Sequence, residues 1–292
     1  MSMPFYISPE QTMRDKGDYA RKGVARSRSS VALQYAGGIL MVTPNVSTVL
    51  HKISEIYDRI AFAAVGRYNE YESLRKAGVT YADVTGYQFD RGDVTARGLA
   101  NWYAQALGGN ASEPAGKPYE VEIVVAEVGM QPDDDQIYRI TWDGAVTDEP
   151  GFVAFGGPAD QVSAALKERF SDNMSLTEAL GAALDALAAP TAGPQQGQPN
   201  GQAELTAANL EVAILDRARA HRTFRRLHGP RLEELIAESR AAKAQSGASA
   251  ESDASESEPE PSAPEPPAPP APKSDEPPTG PSAAGDDGTP RL

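Results

Sequence analysis

Side chains that could carry out chemistry are scattered along this sequence and form no standard catalytic motif. The three histidines, His51, His221 and His228, have no metal-ligand spacing and no His-Glu-x-x-His context, so we expect each to have a surface or core role. A Gly-x-Ser-x-Gly elbow is absent, and the only Gly-Lys pair, at residues 116–117, continues into proline, so there is no phosphate-binding loop. The residues alone therefore indicate no reaction.

Metal binding finds little support either. The run Asp133-Asp134-Asp135 could suggest a hard-cation site, but no glycine-punctuated ligand spacing follows it. We interpret this run as a solvated loop ahead of a strand. The chain contains no cysteine, which excludes a disulfide framework and a thiolate metal site. We expect neither a metal nor another cofactor.

Composition divides the chain into a main domain and a tail. The 292 residues carry a formal net charge of −14, and residues 245–292 hold 12 of the 24 prolines, no aromatic residue, and ten acidic against two basic side chains. Such a segment cannot bury enough apolar surface to offset its ordering entropy. We therefore predict one domain over residues 9–240 and a disordered acidic tail over residues 241–292, either a solubilising extension or a tether for a partner.

The remaining composition excludes several classes of partner. The main domain has no strongly basic face, so we expect no nucleic acid partner, and no apolar run approaches membrane-spanning length. No basic region precedes the apolar N-terminal residues, and Pro4 interrupts them, so we expect no signal peptide. These features favour a cytoplasmic protein.

Apolar periodicity and turn signals predict an α+β fold in which strands come in hairpin blocks and helices in pairs. The predicted helices cover residues 9–22, 68–77, 94–107, 158–170, 176–187 and 232–240, and the predicted strands cover residues 29–35, 39–42, 53–56, 60–65, 119–128, 136–142, 152–155 and 210–215. This order favours two antiparallel sheets packed together with a helix pair on each outer face. A doubly wound parallel sheet would alternate single strands and helices.

The start of the first helix is strongly specified, whereas the segment before it has no evident core to join. Ser8 can serve as N-cap, Pro9 suits the first helical position, and Gln11 stands where a capping box places Glu or Gln. Residues 1–7 are largely apolar and uncharged. We expect them to form a short flexible segment ahead of an anchored helix.

Several long blocks, in the same order along the chain, carry a specific family resemblance. These blocks are Glu10–Lys16, Ala20–Arg26, Ala36–Gly38, Lys52–Arg59, Arg91 with Asp93–Thr95, Leu99–Asn101 and Lys117–Glu122. Over about residues 1–240 the sequence resembles the proteasome α-subunits of actinobacterial type. The resemblance implies a four-layer αββα sandwich (the Ntn-hydrolase or proteasome-subunit fold) with an extra N-terminal helix.

The resemblance also implies that this chain is not an enzyme. Catalytic β-type subunits expose an N-terminal threonine just before the first strand, and its free amine serves as base for its own hydroxyl. Residues 23–28 here contain no threonine, and the only Gly-Thr pair, at residues 288–289, lies in the tail. We therefore expect a non-catalytic subunit with no catalytic residue.

One lysine is the main candidate for a binding role. Taken alone, Lys52 could be a solvated lysine at a strand edge. The resemblance implies that it lines a pocket between neighbouring subunits and pairs with the C-terminal carboxylate of an activator ATPase, a charge-assisted contact. Gly66 and Arg67 are weaker candidates for the same pocket, since they could also simply cap the next helix.

Two further sets of residues have expected mechanical roles. The gate at the entrance to the proteolytic chamber would be formed by Ser2, Met3, Pro4, Phe5, Tyr6, Ile7 and Ser8. Arg14, Lys16 and Tyr19 on the first helix are candidates for contacts between ring neighbours or else solvated surface, and the helix around residues 99–107 is a second candidate for such contacts.

The expected function is that of an outer-ring subunit of a proteasome core. It would form seven-membered homomeric rings on rings of β-subunits, restrict the entry of unfolded protein substrates, and dock a ring-shaped ATPase. Two alternatives stay open: a catalytic amidohydrolase of the same fold, and a monomeric peptide-binding module with an acidic tail.

Overall fold

The computed structural model describes residues 8–114, 116–189 and 205–255, and the side chains as far as residue 244. The chain divides into two compact units, Met1–Ser249 and Ala250–Leu292. Of the second unit, the structure describes only residues 250–255, which are the end of the last helix. In chain order the elements are α1 (Pro9–Ala25), β1 (Ser30–Tyr35), β2 (Gly38–Pro44), β3 (Ile53–Tyr57), β4 (Ile60–Gly66), α2 (Tyr68–Gln88), α3 (Ala96–Ser112), β5 (Val121–Glu127), β6 (Gln136–Ile140), β7 (Val146–Asp148), β8 (Phe152–Phe155), α4 (Ala159–Lys167), α5 (Leu176–Ala188), β9 (Leu210–Asp216), β10 (Phe224–Leu227) and α6 (Pro230–Ser255).

The ten strands form two five-stranded antiparallel sheets. The first sheet has the order β10-β9-β2-β1-β8, and the second has the order β3-β4-β5-β6-β7. The second sheet follows chain order, although α2 and α3 lie between β4 and β5 in the chain. In the first sheet, β9 returns from the C-terminal half of the chain to pair along the whole of β2, from Gly38 opposite Asp216 to Pro44 opposite Leu210.

Three apolar layers hold the sheets and helices together. One layer lies between the sheets and includes Ile39, Val124 and Phe155. A second lies between the first sheet and helices α4, α5 and α6, and a third between the second sheet and helices α2 and α3. The predicted αββα sandwich is confirmed, although the first sheet is covered by three helices rather than by a pair.

The extra N-terminal helix is also confirmed. Ser8 is its N-cap, since the Ser8 hydroxyl accepts a hydrogen bond from the backbone N–H of Gln11 at 3.2 Å, and Pro9 occupies the first turn. The buried face of α1 places Ala20 against Ala111 and Trp142. These contacts hold α1 against the sandwich.

Several boundaries differ from the predicted ones. Helix α1 continues to Ala25, helix α2 continues from the predicted end at residue 77 to Gln88, and strands β7 and β10 were not predicted. Helix α3 begins at Ala96 with Thr95 as its N-cap. Helix α6 runs past residue 240, where we expected the tail to begin; residues 256–292 lie outside the described part of the chain.

The acidic run before β6 is solvated, as we expected, only at Asp133 and Asp134, which are exposed. The Asp135 side chain is only 1% exposed and forms two hydrogen bonds with the Arg217 guanidinium, each 2.8 Å long. Arg217 also donates to the carbonyls of Gly129 and Gln131. A buried carboxylate requires such a partner, and the fold brings Arg217 to it from beyond the end of β9.

A glycine in the middle of α2 explains why that helix was predicted too short. Gly78 is a poor helix former, so the sequence pattern ends there. In the fold, a Cβ atom at Gly78 would lie 1.9 Å from the hydroxyl oxygen of Tyr103 on α3. Tyr103 is fully buried, its hydroxyl donates to the carbonyl of Leu74 at 3.1 Å, and burial raises the pKa of that hydroxyl. The glycine therefore allows α2 and α3 to pack closely.

We predict that Gly78→Ala destabilises the protein although alanine is the better helix former. Overpacking costs about 1–3 kcal/mol, which exceeds the ~1 kcal/mol that alanine gains over glycine in a helix interior. Gly109→Ala on α3 is the matched control, because no atom lies within 4 Å of a Cβ added there. Urea unfolding of both variants at equal protein concentration should show a lower free energy of unfolding for the first only. Equal stability of Gly78→Ala and wild type would contradict this packing argument.

Candidate functional site

The main candidate residue, Lys52, lies at one end of the sandwich. It directly precedes β3, and its carbonyl accepts a hydrogen bond from the backbone N–H of Ala64 on β4 at 3.0 Å. Strand β2 ends and strand β9 begins at the same end, where Pro44 pairs with Leu210. Segments from both sheets therefore meet around this lysine.

A buried glutamate on β9 fixes the backbone at this position. The Glu211 carboxylate, whose side chain is 5% exposed, accepts hydrogen bonds from the backbone N–H groups of Lys52 at 2.9 Å and of Ile53 at 3.1 Å. The Asn45 side-chain amide donates to it at 2.8 Å, and the Arg226 guanidinium forms an ion pair with it. Glu211 thus connects the first sheet to the start of β3 in the second.

The ammonium group of Lys52 has few internal partners. Its Nζ donates to the Pro44 carbonyl at 3.3 Å, and within the described residues it forms no ion pair with a carboxylate. Burial lowers the pKa of this amine; the Glu211 charge opposes that shift, and the Arg28 charge adds to it. An ammonium in this position can accept an external carboxylate as an additional partner.

The loop before Lys52 is held in a defined shape by its own polar side chains. Asn45 Nδ2 donates to the Leu50 carbonyl at 2.8 Å, while Asn45 Oδ1 accepts from the Ser47 N–H at 2.9 Å. The Ser47 hydroxyl accepts from the Leu50 N–H at 2.9 Å. The loop leaves Val46 and Val49 largely exposed. It therefore presents apolar side chains close to the lysine.

Gly66 lies at the same end of the second sheet as Lys52. Its φ is +108°, and a Cβ there would lie 1.9 Å from the carbonyl oxygen of Glu120, so this position requires glycine on steric grounds. Strands β3 and β4 pair with Ile53 opposite Ala63, which places the end of β4 beside the segment that carries Lys52.

Arg67 is engaged in an internal charge network. Its guanidinium lies 3.4 Å from Glu120 and 3.8 Å from Glu70, and its backbone N–H donates to the Glu120 carbonyl at 3.0 Å. Lys117 completes the network with ion pairs of 2.6 Å to Glu70 and 2.9 Å to Glu120. The hydrogen bond from Lys117 is the main cause that lowers the pKa of Glu120. The Arg67 side chain is 55% exposed, so part of it also faces solvent.

The three candidates on α1 have different surroundings. Lys16 donates to the carbonyls of Ala111, at 3.1 Å, and Glu113, so it binds the C-terminal end of α3. Tyr19 is 48% exposed, and the Lys117 ammonium lies 5.7 Å from the centre of its ring. Arg14 is exposed. The gate candidates Ser2, Met3, Pro4, Phe5, Tyr6 and Ile7 lie outside the described residues, whereas Ser8 is the N-cap of α1.

Hydroxyl groups near the start of β1 have internal partners. Ser27 donates to the Val24 carbonyl at 2.6 Å, and Ser29 donates to the Gly156 carbonyl at 2.9 Å. In the described ranges, no group of three His, Cys, Asp or Glu side chains could hold a metal ion. No helix in those ranges has the length and apolarity needed to cross a bilayer.

Sequence reasoning missed Glu211, although a signal for it existed. Strand alternation puts Glu211 on the same face of β9 as Ala213 and Leu215, which pack between the sheets, whereas its immediate neighbours Leu210 and Val212 pack under the helices. A charged residue on a buried strand face indicates a polar partner. What the sequence could not identify was that partner, because Lys52 and Glu211 are far apart in the chain.

Comparison with known proteins identifies the family. The family model described as Proteasome subunit matches residues 24–194. "Proteasome subunit alpha" from Thermomonospora curvata is 62% identical over 238 residues, covering 82% of this chain and 99% of the relative. The protein of the same name from Thermobifida fusca is 61% identical over 240 residues, covering 82% of this chain and 92% of that relative. This chain therefore belongs to the proteasome subunit family, among its α-subunits, which are the non-catalytic subunits of the proteasome core.

Proposed function

We propose that this chain forms the outer rings of a proteasome core, gates substrate entry and docks a ring-shaped activator ATPase. Seven copies would make each homomeric ring, and each ring would stack on a ring of catalytic β-subunits in the cytoplasm. Unfolded proteins would be the substrates. Arg14, Lys16 and Tyr19 stay candidates for contacts between neighbouring copies, although Lys16 already binds the end of α3.

The observation that carries the docking proposal is the partnering of Lys52. The acidic side chain beside it has other partners, since Glu211 accepts from the backbone of residues 52–53 and pairs with Arg226. The Lys52 ammonium retains only the Pro44 carbonyl among the described residues. A C-terminal carboxylate of an ATPase would supply the missing counter-charge in a partly buried site, where ion pairs are screened less by solvent.

We predict that Lys52→Ala abolishes ATPase-stimulated protein degradation while ring assembly and unstimulated peptide cleavage stay at wild-type levels. Loss of one charge-assisted contact in each of several sites should reduce stimulation by about tenfold or more. The measurement is degradation of an unfolded protein by the particle assembled with its β-subunits, with and without an ATPase that stimulates the wild type.

Lys76→Ala is the matched control for this experiment. Lys76 lies on α2 and is 70% exposed, and its ion pair with Glu72 is 3.7 Å long, so its loss removes the same charge from a solvated surface. Stimulation should stay unchanged in this control. Full stimulation of the Lys52→Ala particle would sink the docking proposal.

The gate proposal concerns residues 1–8. Helix α1 is fixed to the sandwich by the Ser8 cap, by Lys16 at the end of α3 and by the apolar contacts of Ala20. Segments that start from such anchored helices in several copies could bury their apolar side chains on one another at a ring pore. That mutual burial would close the pore, and opening it would expose only a small apolar area per copy.

We predict that deletion of residues 2–7, with Ser8 retained, raises unstimulated peptide cleavage severalfold in the assembled particle. Retaining Ser8 preserves the helix cap, so any change in cleavage reports on the deleted segment rather than on fraying of α1. The control is Ser8→Ala, which removes the cap hydroxyl but keeps the apolar residues and should change cleavage much less. Equal peptide cleavage by the deletion variant and wild type would refute the gate.

A further inference from the structure

The carboxylate of Glu211 has more internal partners than any role in simple sheet pairing requires. It accepts hydrogen bonds from two backbone N–H groups and from the Asn45 amide, and it forms an ion pair with the Arg226 guanidinium. His51 Nδ1 lies 3.4 Å from it. Arg226 also donates to the carbonyl of Ile53 at 2.7 Å. All these contacts converge on the segment that carries Lys52.

We propose that Glu211 is a positioning residue for Lys52: it holds the backbone of residues 52–53 and the adjoining loop, and thereby sets where the ammonium meets a docking carboxylate. This inference rests on the proposed docking role of Lys52. Glu211 itself does not contact the docking carboxylate. It acts through the lysine, and Arg226 together with the hydrogen bonds it accepts keeps its carboxylate in place.

Two properties of Glu211 are needed for this role, and they can be separated by substitution. Its two oxygens accept from two successive backbone N–H groups, which needs the full length of a glutamate. Its charge stabilises the ammonium form of Lys52 against burial. Glu211→Gln keeps the length but loses the charge and one acceptor, whereas Glu211→Asp keeps the charge but shortens the reach.

Several charged or titratable groups surround the lysine and Glu211. Those that face Lys52 or Glu211 are Arg28 before β1, His51 in the loop, Arg226 on β10 and Tyr71 on α2. Burial and Arg28 lower the pKa of Lys52, and Glu211 raises it. Removal of the Glu211 charge should therefore lower that pKa further, so that the ammonium is lost at a lower pH.

The test combines chemical labelling with the degradation assay on complete particles. Acetic anhydride labels the free amine, so Lys52 acetylation followed by mass spectrometry over a pH series gives the midpoint at which the lysine loses its proton. We expect this midpoint to move to lower pH in Glu211→Gln and to stay closer to wild type in Glu211→Asp. ATPase-stimulated degradation should fall about tenfold in both variants relative to the unstimulated peptide cleavage of the same particles, as for the loss of a hydrogen bond to a charged group.

Asp216→Asn is the matched control on the same strand. Asp216 lies at the far end of β9 and pairs with Arg225 at 3.2 Å, so the substitution removes the same charge from a site about 17 Å away along the strand. Both the labelling midpoint and the stimulation should equal wild type in this control. A midpoint shift as large as that of Glu211→Gln would overturn the proposal, because the effect would then be one of net charge.

The outcomes separate this inference from the docking proposal. Full stimulation in both Glu211 variants, together with its loss in Lys52→Ala, would overturn the positioning role and leave docking intact. If Lys52→Ala retains stimulation, docking fails, and the positioning role that rests on it is overturned as well, whatever the labelling midpoint. If Glu211→Gln does not assemble, stimulation of the Glu211→Asp particle decides in the same way.

Discussion

The candidate site depends on the hydrogen bonds and the ion pair formed by one buried carboxylate, that of Glu211. Burying an ionised carboxylate is costly unless hydrogen bonds and a counter-charge compensate it, and removal of one partner of a buried pair typically costs about 3–5 kcal/mol. Glu211 lies on β9 of the first sheet. Its backbone partners are Lys52, just before β3 of the second sheet, and Ile53, the first residue of β3. The same contacts that satisfy this charge therefore join the two sheets and hold Lys52. The backbone position of Lys52 is therefore set by contacts between the two sheets.

Internal ion pairs engage two of the carboxylates at this end of the sandwich. The carboxylates of Glu70 and Glu120 are shared between Lys117 and Arg67, and this network joins the starts of α2 and β5. The Lys52 ammonium has a carbonyl as its described partner instead of a carboxylate. Satisfied pairs rigidify the surroundings, and in the proposed docking role the incompletely paired ammonium would bind a negative group.

Local patterns in the sequence were sufficient for the architecture but not for the contacts that cross it. The cap at Ser8, the apolar periodicity and the turn signals predicted the helices, the sheets and their layers because these features depend on near neighbours in the chain. Gly78 and Asp135 were misinterpreted because their partners, Tyr103 and Arg217, come from distant segments. Lys52 was found through the family resemblance, whereas nothing local indicated that Glu211 would fix it.

The central claim is that this chain builds the outer rings of a proteasome core. Its most direct test is electron microscopy of particles purified after co-expression of the full chain with candidate β-subunits, with native mass measurement of the same sample. The account predicts seven-membered rings of this chain at both ends of a stacked particle. A chain that stays monomeric, or that forms no ring in the presence of β-subunits that assemble with other α-subunits, would contradict it and favour a peptide-binding module.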